Sequence, residues 1–255
     1  MMWLLPLGLV VLIIASQTRS ARANSLGEQK MDPTYPPSAW APVVASLISS
    51  KYPRVKMAPA LKWIADESGG NPCAWGDPPP EGTAEDGNPR EIGIGQLYNP
   101  DDFNRLKITS SSLRAYCVPG SQRLSRKLSP QEMIDQVTYT VMEPIMWGME
   151  KVDTLAAQYT LPWGEVDYWK LVKAPHALPG IINTGFPAVV KKLGRTPGDW
   201  NEFRQVLGMD SDEVRQKALK RQPMTDEEKT RWRWMRALDA CEKIGNSLTE
   251  NGGVA

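Results

Sequence analysis

Glu67 is the residue from which chemistry can be read first. It stands near the end of an apolar helical pattern, Ala60-Leu61-Lys62-Trp63-Ile64-Ala65-Asp66-Glu67, against the turn Ser68-Gly69-Gly70-Asn71-Pro72. Negative charge is disfavoured at a helix C-terminus by the helix dipole. Trp63 and Ile64 are expected to desolvate the same carboxyl. Both effects push its pKa upward. A carboxyl protonated near neutrality is what a general acid for glycosidic-bond cleavage requires. A second stretch, Glu91-Ile92-Gly93-Ile94-Gly95-Gln96-Leu97, follows a long loop.

Other chemistries find less support. His176 is the single histidine, so any Ser-His-Asp or Cys-His mechanism would have to use it. No GxSxG elbow accompanies it. Gly93-Ile94-Gly95 lacks the third glycine of a dinucleotide fingerprint and no strand precedes it. Cys73, Cys117 and Cys241 form no CxxC and show no zinc spacing, so no metal and no cofactor is expected. Cys73 and Cys117 both fall in loop-like regions, and a bridge between them is favoured. It would close a long loop and stabilise by ~3–4 kcal/mol. The alternative is three buried thiols.

The elements that must position Glu67 read as helices. Ser38 is a candidate cap for a helix carrying Trp40, Val43, Val44, Leu47 and Ile48. Pro59 suits the first turn of the helix that ends near Glu67. Ser129-Pro130-Gln131-Glu132 is a capping box opening a long helix with Met133, Ile134, Val137, Val141 and Ile145 on one face. Pro144 should kink it. Shorter helical stretches surround Val166–Val172, Leu178–Ile182 and Pro187–Leu193. Thr225 and Glu228 form another capping box. One small hairpin is expected between Trp75 and Leu97. The fold class is therefore mainly α with little strand.

The chain has 255 residues, with 30 Lys+Arg against 29 Asp+Glu. That length suffices for a large core, and the charge balance argues against a nucleic acid partner. Residues Trp3 to Ala15 form an apolar run too short for a membrane span of ~20 residues. It fits the core of an export signal, with Ala21-Arg22-Ala23 as a cleavage site. Arg19 and Arg22 follow the run rather than precede it, a charge order that suits an uncleaved anchor as the alternative to the cleaved signal. Export to the periplasm or cell envelope is expected in either case. The organisation reads as a signal or anchor over 1–23, a linker over 24–37, a main domain over 38–195 and a helical extension over 196–255. There are 10 Trp against 3 Phe, and indole rings serve both cores and sugar stacking. Trp40, Trp63 and Trp169 sit on helical patterns and read as core. Trp75, just after the Glu67 turn, is the candidate for stacking on a sugar.

Three segments together carry a resemblance. Glu67-Ser68 with Asn71-Pro72 and Ala74 resembles the catalytic "E-S-x-x-N-P-x-A" segment of lytic transglycosylases with a lysozyme-like fold. Gly93-Ile94-Gly95-Gln96 is similar to the "G-L-M-Q" segment lining that family's cleft. Ile182-Asn183-Thr184-Gly185-Phe186-Pro187-Ala188-Val189-Val190-Lys191 looks like its "Y-N-A-G-P-G-A-V-x-K". The three occur in the family's order. Ile182 replaces the family's tyrosine, and the stretch from Ala74 to Gly93 is longer than usual.

The resemblance implies a lysozyme-like α+β domain that cleaves the β-1,4 bond between N-acetylmuramic acid and N-acetylglucosamine in peptidoglycan glycan strands. Glu67 would protonate the leaving oxygen and then take the proton of the muramyl C6 hydroxyl, giving a 1,6-anhydro product without water. The substrate's N-acetyl group would supply what a second carboxylate otherwise does. Gln96 and Asn183 would orient the sugar, with Gly93 in the cleft wall. Ser68 reads as a hydroxyl bracing the turn, since no base accompanies it. An inverting lysozyme of goose type is the close alternative. It needs a second carboxylate, for which Glu85, Asp86 and Glu91 are the candidates. A non-catalytic wall-binding or assembly module is the third reading. Arg231-Trp232-Arg233-Trp234-Met235-Arg236 either contacts an anionic surface, phospholipid or wall polymer, or docks through Trp234 and Leu238 with its arginines in solvent.

Overall fold

The computed structural model describes residues 35–75, 91–98 and 101–250. The segment expected to direct export, most of the expected linker, and Glu85 and Asp86 lie outside these residues. The described chain is mainly helical, with one two-stranded antiparallel sheet. Among the described residues no helix is long and apolar enough to cross a membrane.

A 3-10 turn, Pro37–Trp40, leads into α1, Ala41–Ser50. Ser38 lies inside this turn, and no side chain caps α1; the helix starts instead with Pro42 in its first turn. Tyr35 and Pro36, read as linker, already lie on the body. The Tyr35 ring packs on Trp40 at 5.5 Å, and its hydroxyl accepts a bond of 2.9 Å from the Leu128 amide. Helix α2, Met57–Ser68, follows and stops at Gly69 with φ 62°. That left-handed conformation is easy for glycine and costly for other residues. Gly70 is held by a second constraint. A Cβ there would fall 2.2 Å from the Tyr35 carbonyl, and the Gly70 carbonyl accepts from the Trp40 indole at 3.0 Å.

Strands β1, Glu91–Ile92, and β2, Leu97–Tyr98, pair in the register Glu91↔Tyr98 and Ile92↔Leu97. Trp75 bridges to Ile92. The short helices α3, Asp101–Leu106, and α4, Ser110–Arg114, come next. Cys73 and Cys117 form a disulfide, with Cα atoms 5.8 Å apart; this is the pair favoured by their loop positions. Cys241 is a free, buried thiol.

Helix α5, Pro130–Val137, opens on the Ser129 capping box, with both reciprocal bonds present. It continues without a break into a π-helical segment, Thr138–Met142, and then α6, Glu143–Tyr159. Pro144 was expected to kink a helix interior. It instead occupies the first turn of α6, directly after a widened turn in which the Glu143 amide reaches back to the Thr138 carbonyl. Proline has no N–H to offer the carbonyl four residues earlier, and a π turn is a recognised way to absorb that loss. The same device recurs. A second π segment, Ile181–Gly185, precedes α8, Phe186–Leu193, with Pro187 in the first turn.

Between them lies α7, Glu165–Ala177, which is the axis of the molecule. Trp169 through Pro175 are all buried, the pattern of a helix surrounded on every side. Two neighbours approach it closely through glycine. A Cβ on Gly148 of α6 would meet the Val172 carbonyl at 2.1 Å. One on Gly245 would meet the Val166 carbonyl at 2.5 Å. Gly245 belongs to α11, Asp226–Glu250, reached through α9, Trp200–Leu207, and α10, Asp212–Leu219. The Thr225 capping box forms as expected from the spacing, with bonds of 2.8 and 3.2 Å to Glu228. Residues beyond 196 share the main core. Trp200, Phe203, Leu238, Cys241 and Ile244 pack in one cluster with Trp40, Trp63 and Trp169.

Candidate functional site

Glu67 occupies the last turn of α2, and its carboxyl meets two side chains of α7. Lys173 donates a hydrogen bond to Oε1 from an ammonium that is 1% exposed. His176 places Nε2 3.8 Å from the same oxygen. Lys173 and His176 are three residues apart and therefore lie on one helix face. Trp63, one turn before Glu67, is the floor beneath both. The Lys173 Nζ sits 3.5 Å from its ring centroid, and the His176 ring lies 4.9 Å from it. A cation against an indole face is held by the ring quadrupole as well as by its carboxylate.

This geometry reverses one expectation. Burial does push the Glu67 carboxyl up, as Trp63 and Ile64 suggested. Lys173, His176 and, from α11, Arg236 together outweigh burial and hold the carboxyl below its usual range. The residue is an ionised carboxylate in a cationic pocket rather than a standing acid. Burial lowers the Lys173 ammonium from its ordinary value, opposed first by Glu67 and then by Cys241 and Asp66.

The glycine segment docks on the end of α2. The Ser68 hydroxyl donates to the Ile94 carbonyl at 2.8 Å and accepts from the Gly70 amide at 3.0 Å. Trp63 donates from its indole to the Gly95 carbonyl at 3.3 Å. Ser68 is thus a brace between the Glu67 turn and Gly93–Gln96. The far side of that segment rests on the end of α5 and the first π segment. The Ile94 and Gly95 amides donate to Gln136 and Thr140, each at 3.1 Å. A Cβ on Gly95 would fall 1.7 Å from the Thr140 carbonyl, the group that Pro144 cannot reach as a donor. Gly93, at φ 84°, likewise has Gln136 and Thr140 at 2.8 Å from any added Cβ. The glycines are there so that a loop and a helix backbone can touch.

Gln96 has φ 53° and is 4% exposed. Its amide nitrogen donates to the Gly93 carbonyl at 2.8 Å. Its oxygen Oε1 is buried and has no hydrogen-bond partner among the described residues, a costly state for a polar atom. Asn71 folds the adjacent turn, accepting from the Cys73 amide at 2.9 Å and donating to the Gln122 carbonyl at 3.1 Å. Asn183 is exposed in the second π segment, which leaves the end of α7 directly after Lys173 and His176. The Trp234 ring of α11 packs against Gly180 and Gly185 on either side of it, and Leu238 is fully buried. The Arg/Trp helix therefore docks through Trp234 and Leu238. Arg233 and Arg236 remain exposed, and the charge of Arg236 reaches the Glu67 carboxyl. Trp75 is partly exposed, with the Arg114 guanidinium over its ring at 5.1 Å. Glu91 lies in β1.

Sequence reasoning missed Lys173 as a site residue and set His176 aside. The available signal was their spacing on one face of an apolar run just before the third motif. Among the described residues no group of His, Cys, Asp and Glu could hold a metal. No family model, curated protein or solved structure matches the chain.

Proposed function

We propose that the chain is a peptidoglycan lytic transglycosylase, with Glu67 as its acid and base. The observation that supports the reading is the convergence of two separated segments. Ser68 and Trp63 tie the Glu67 turn to Gly93–Gln96 by hydrogen bonds of 2.8 and 3.3 Å. Gln96 there presents an unpaired buried oxygen. A carboxylate on a turn braced to a glycine segment that carries an orphaned acceptor suits a polar, hydroxyl-rich and amide-rich substrate such as an acetylated glycan.

In this reading the first step protonates the glycosidic oxygen as its bond to the muramyl C1 breaks. Glu67 then accepts the C6 hydroxyl proton as that oxygen bonds C1. The second half suits the ionised carboxylate directly. Lys173 and His176 keep it ionised and fixed. Gln96 and Asn183 orient the sugar, and Trp75 offers one ring face. The setting is the cell envelope, reached by the export segment. The exposed Arg233 and Arg236 add attraction for anionic wall polymer or lipid.

Mass analysis of muropeptides released from purified cell walls by the chain from Asn24 onward tests this reading. Anhydro-ended products are expected. Products one water heavier would mean a hydrolase, and no release would mean a binding module. Glu67→Gln should lower release at least ~1,000-fold; unchanged clearing by that variant would remove Glu67 from the chemistry.

A further inference from the structure

The first half of the proposed reaction needs a proton, and the carboxyl that must give it is ionised. The donor bonded to that carboxyl is the Lys173 ammonium. Its side chain is 1% exposed against 22% for Glu67, so the ammonium meets solvent through the carboxylate and not directly. It is seated on Trp63, and α7, clamped at Gly148 and Gly245, fixes its position.

We infer that Lys173 is the proton store of the site: the Glu67–Lys173 pair holds one transferable proton, and that proton is the one handed to the leaving oxygen. The inference rests on the reading of Glu67 as acid and base. In balance, a proton moves from Lys173 Nζ to Glu67 and from Glu67 to the glycosidic oxygen as the C1–O bond breaks. The pair is then a carboxylate beside a neutral amine. When the C6 oxygen bonds C1, its proton passes to Glu67 and back to Lys173, restoring the starting state. No other reactant is consumed. Lys173 acts through Glu67 and is a positioning residue.

The other charged or titratable groups facing the pair are His176 on α7 itself, Asp66 from α2, and Arg236 and Cys241 from α11. Asp66 is engaged with Lys62 at 3.3 Å. The Cys241 thiol is pushed by burial up to about 12, so it stays neutral. His176 adds positive charge when protonated, but at 3.8 Å it stands outside hydrogen-bond distance.

A proton held by the pair makes a distinct pH profile. Activity should extend upward to the point where Lys173 loses its proton. A lone carboxylic acid would already have stopped working within the carboxyl range. The test is the pH dependence of anhydro-muropeptide release by wild type, Lys173→Gln and Lys173→Arg. In Lys173→Gln the alkaline limb should fall by about 2 pH units or more, so that near the wild-type limb the rate drops ~100-fold relative to the variant's own plateau. Lys173→Arg keeps the charge but cannot release a proton, and should lose the plateau as well. A structural ion pair predicts the opposite, with rescue by arginine. An unchanged alkaline limb in Lys173→Gln, or rescue by Lys173→Arg, overturns the proposal.

If both variants fail to fold, carboxyl carbon-13 titration of the wild type decides. The Glu67 signal should show a second inflection at the pH of the kinetic alkaline limb, the mark of a coupled pair. Titration in a single ordinary step overturns the proposal. A wild type that releases no anhydro product removes the transglycosylase reading instead, which is a separate outcome.

Discussion

Two charged clusters in this molecule use the same side-chain types to opposite ends. Around Glu67, one carboxylate faces Lys173, His176 and Arg236 over an indole floor. Around Arg204, two guanidiniums sit among three carboxylates. Arg204 takes Asp210 bidentately at 2.7 Å, Asp239 at 2.7 Å and Glu242 at 2.9 Å, while Arg215 takes Asp239 at 2.9 Å. Glu242 in turn accepts from the Trp200 indole at 3.0 Å. In the Arg204 cluster every carboxylate has a fixed partner, and α9, α10 and α11 are tied together. In the Glu67 cluster the cations outnumber the carboxylate, and the most buried cation carries a mobile proton. The first arrangement fastens, whereas the second leaves a group that can react.

The largest effect that separates them is on rate. Glu67→Gln should cost at least ~1,000-fold in product release. Arg204→Met should leave the rate of the folded protein within about twofold while lowering stability by ~2–3 kcal/mol. That figure reflects a side chain only 13% exposed serving partners 30–46% exposed, short of the 3–5 kcal/mol of fully buried pairs. Thermal denaturation should show it as a fall of ~5–10 °C. A rate loss in Arg204→Met comparable to Glu67→Gln would erase the distinction.

Reading the sequence recovers the two clusters unequally, for a physical reason. The capping residues Ser129, Glu132, Thr225 and Glu228 are legible because each acts on a neighbour three positions away, and Glu67 and Ser68 because they close an apolar helical pattern against a glycine turn. The helical class and the hairpin follow from local periodicity and turns in the same way. Lys173 is invisible to that logic. It sits 106 residues from Glu67, on a helix buried all round, where the amphipathic period that reveals a helix face is lost. The expectation of a raised Glu67 pKa failed for the same cause, since it counted the neighbours on α2 and could not count those on α7. Pro144 shows a local rule half right. The proline does delete a bond to Thr140, and the chain widens into a π turn and sets Gly95 against that carbonyl. The Arg204 cluster spans three helices of the region that resembles no motif, so nothing in the chain order announced it.

A smaller effect sharpens the contrast through pH. Burial raises the Asp239 carboxyl, but Arg215 and Arg204 outweigh it and hold it below its usual value. A depressed carboxyl contributes stability that is present above its unfolded value and is lost as pH falls through the folded one. Asp239→Asn should therefore cost ~1 kcal/mol near neutrality and nothing at strongly acid pH. The difference between the two unfolding curves should close in the window below the ordinary aspartate range. A difference that stays constant with pH would mean that Asp239 contributes as a hydrogen-bond acceptor and not as a charge.

The smallest effect is that of salt, and it bears on burial directly. Asp210 is 46% exposed on its side chain, so ions reach its bond to Arg204. Raising sodium chloride from low concentration to about 0.5 M should lower thermal stability by less than ~1 kcal/mol through that cluster. The Lys173 ammonium is 1% exposed, and buried pairs are screened little. The alkaline limb of wild-type activity should thus hold its position within ~0.3 pH unit over the same range. Position is the quantity to follow, because salt also changes how a charged glycan binds and so alters the rate itself. A limb that moves with salt as far as the stability of the Arg204 cluster does would mean that solvent reaches Lys173. The pair could not then keep its proton from exchange, and the two clusters would differ in degree of burial without differing in kind.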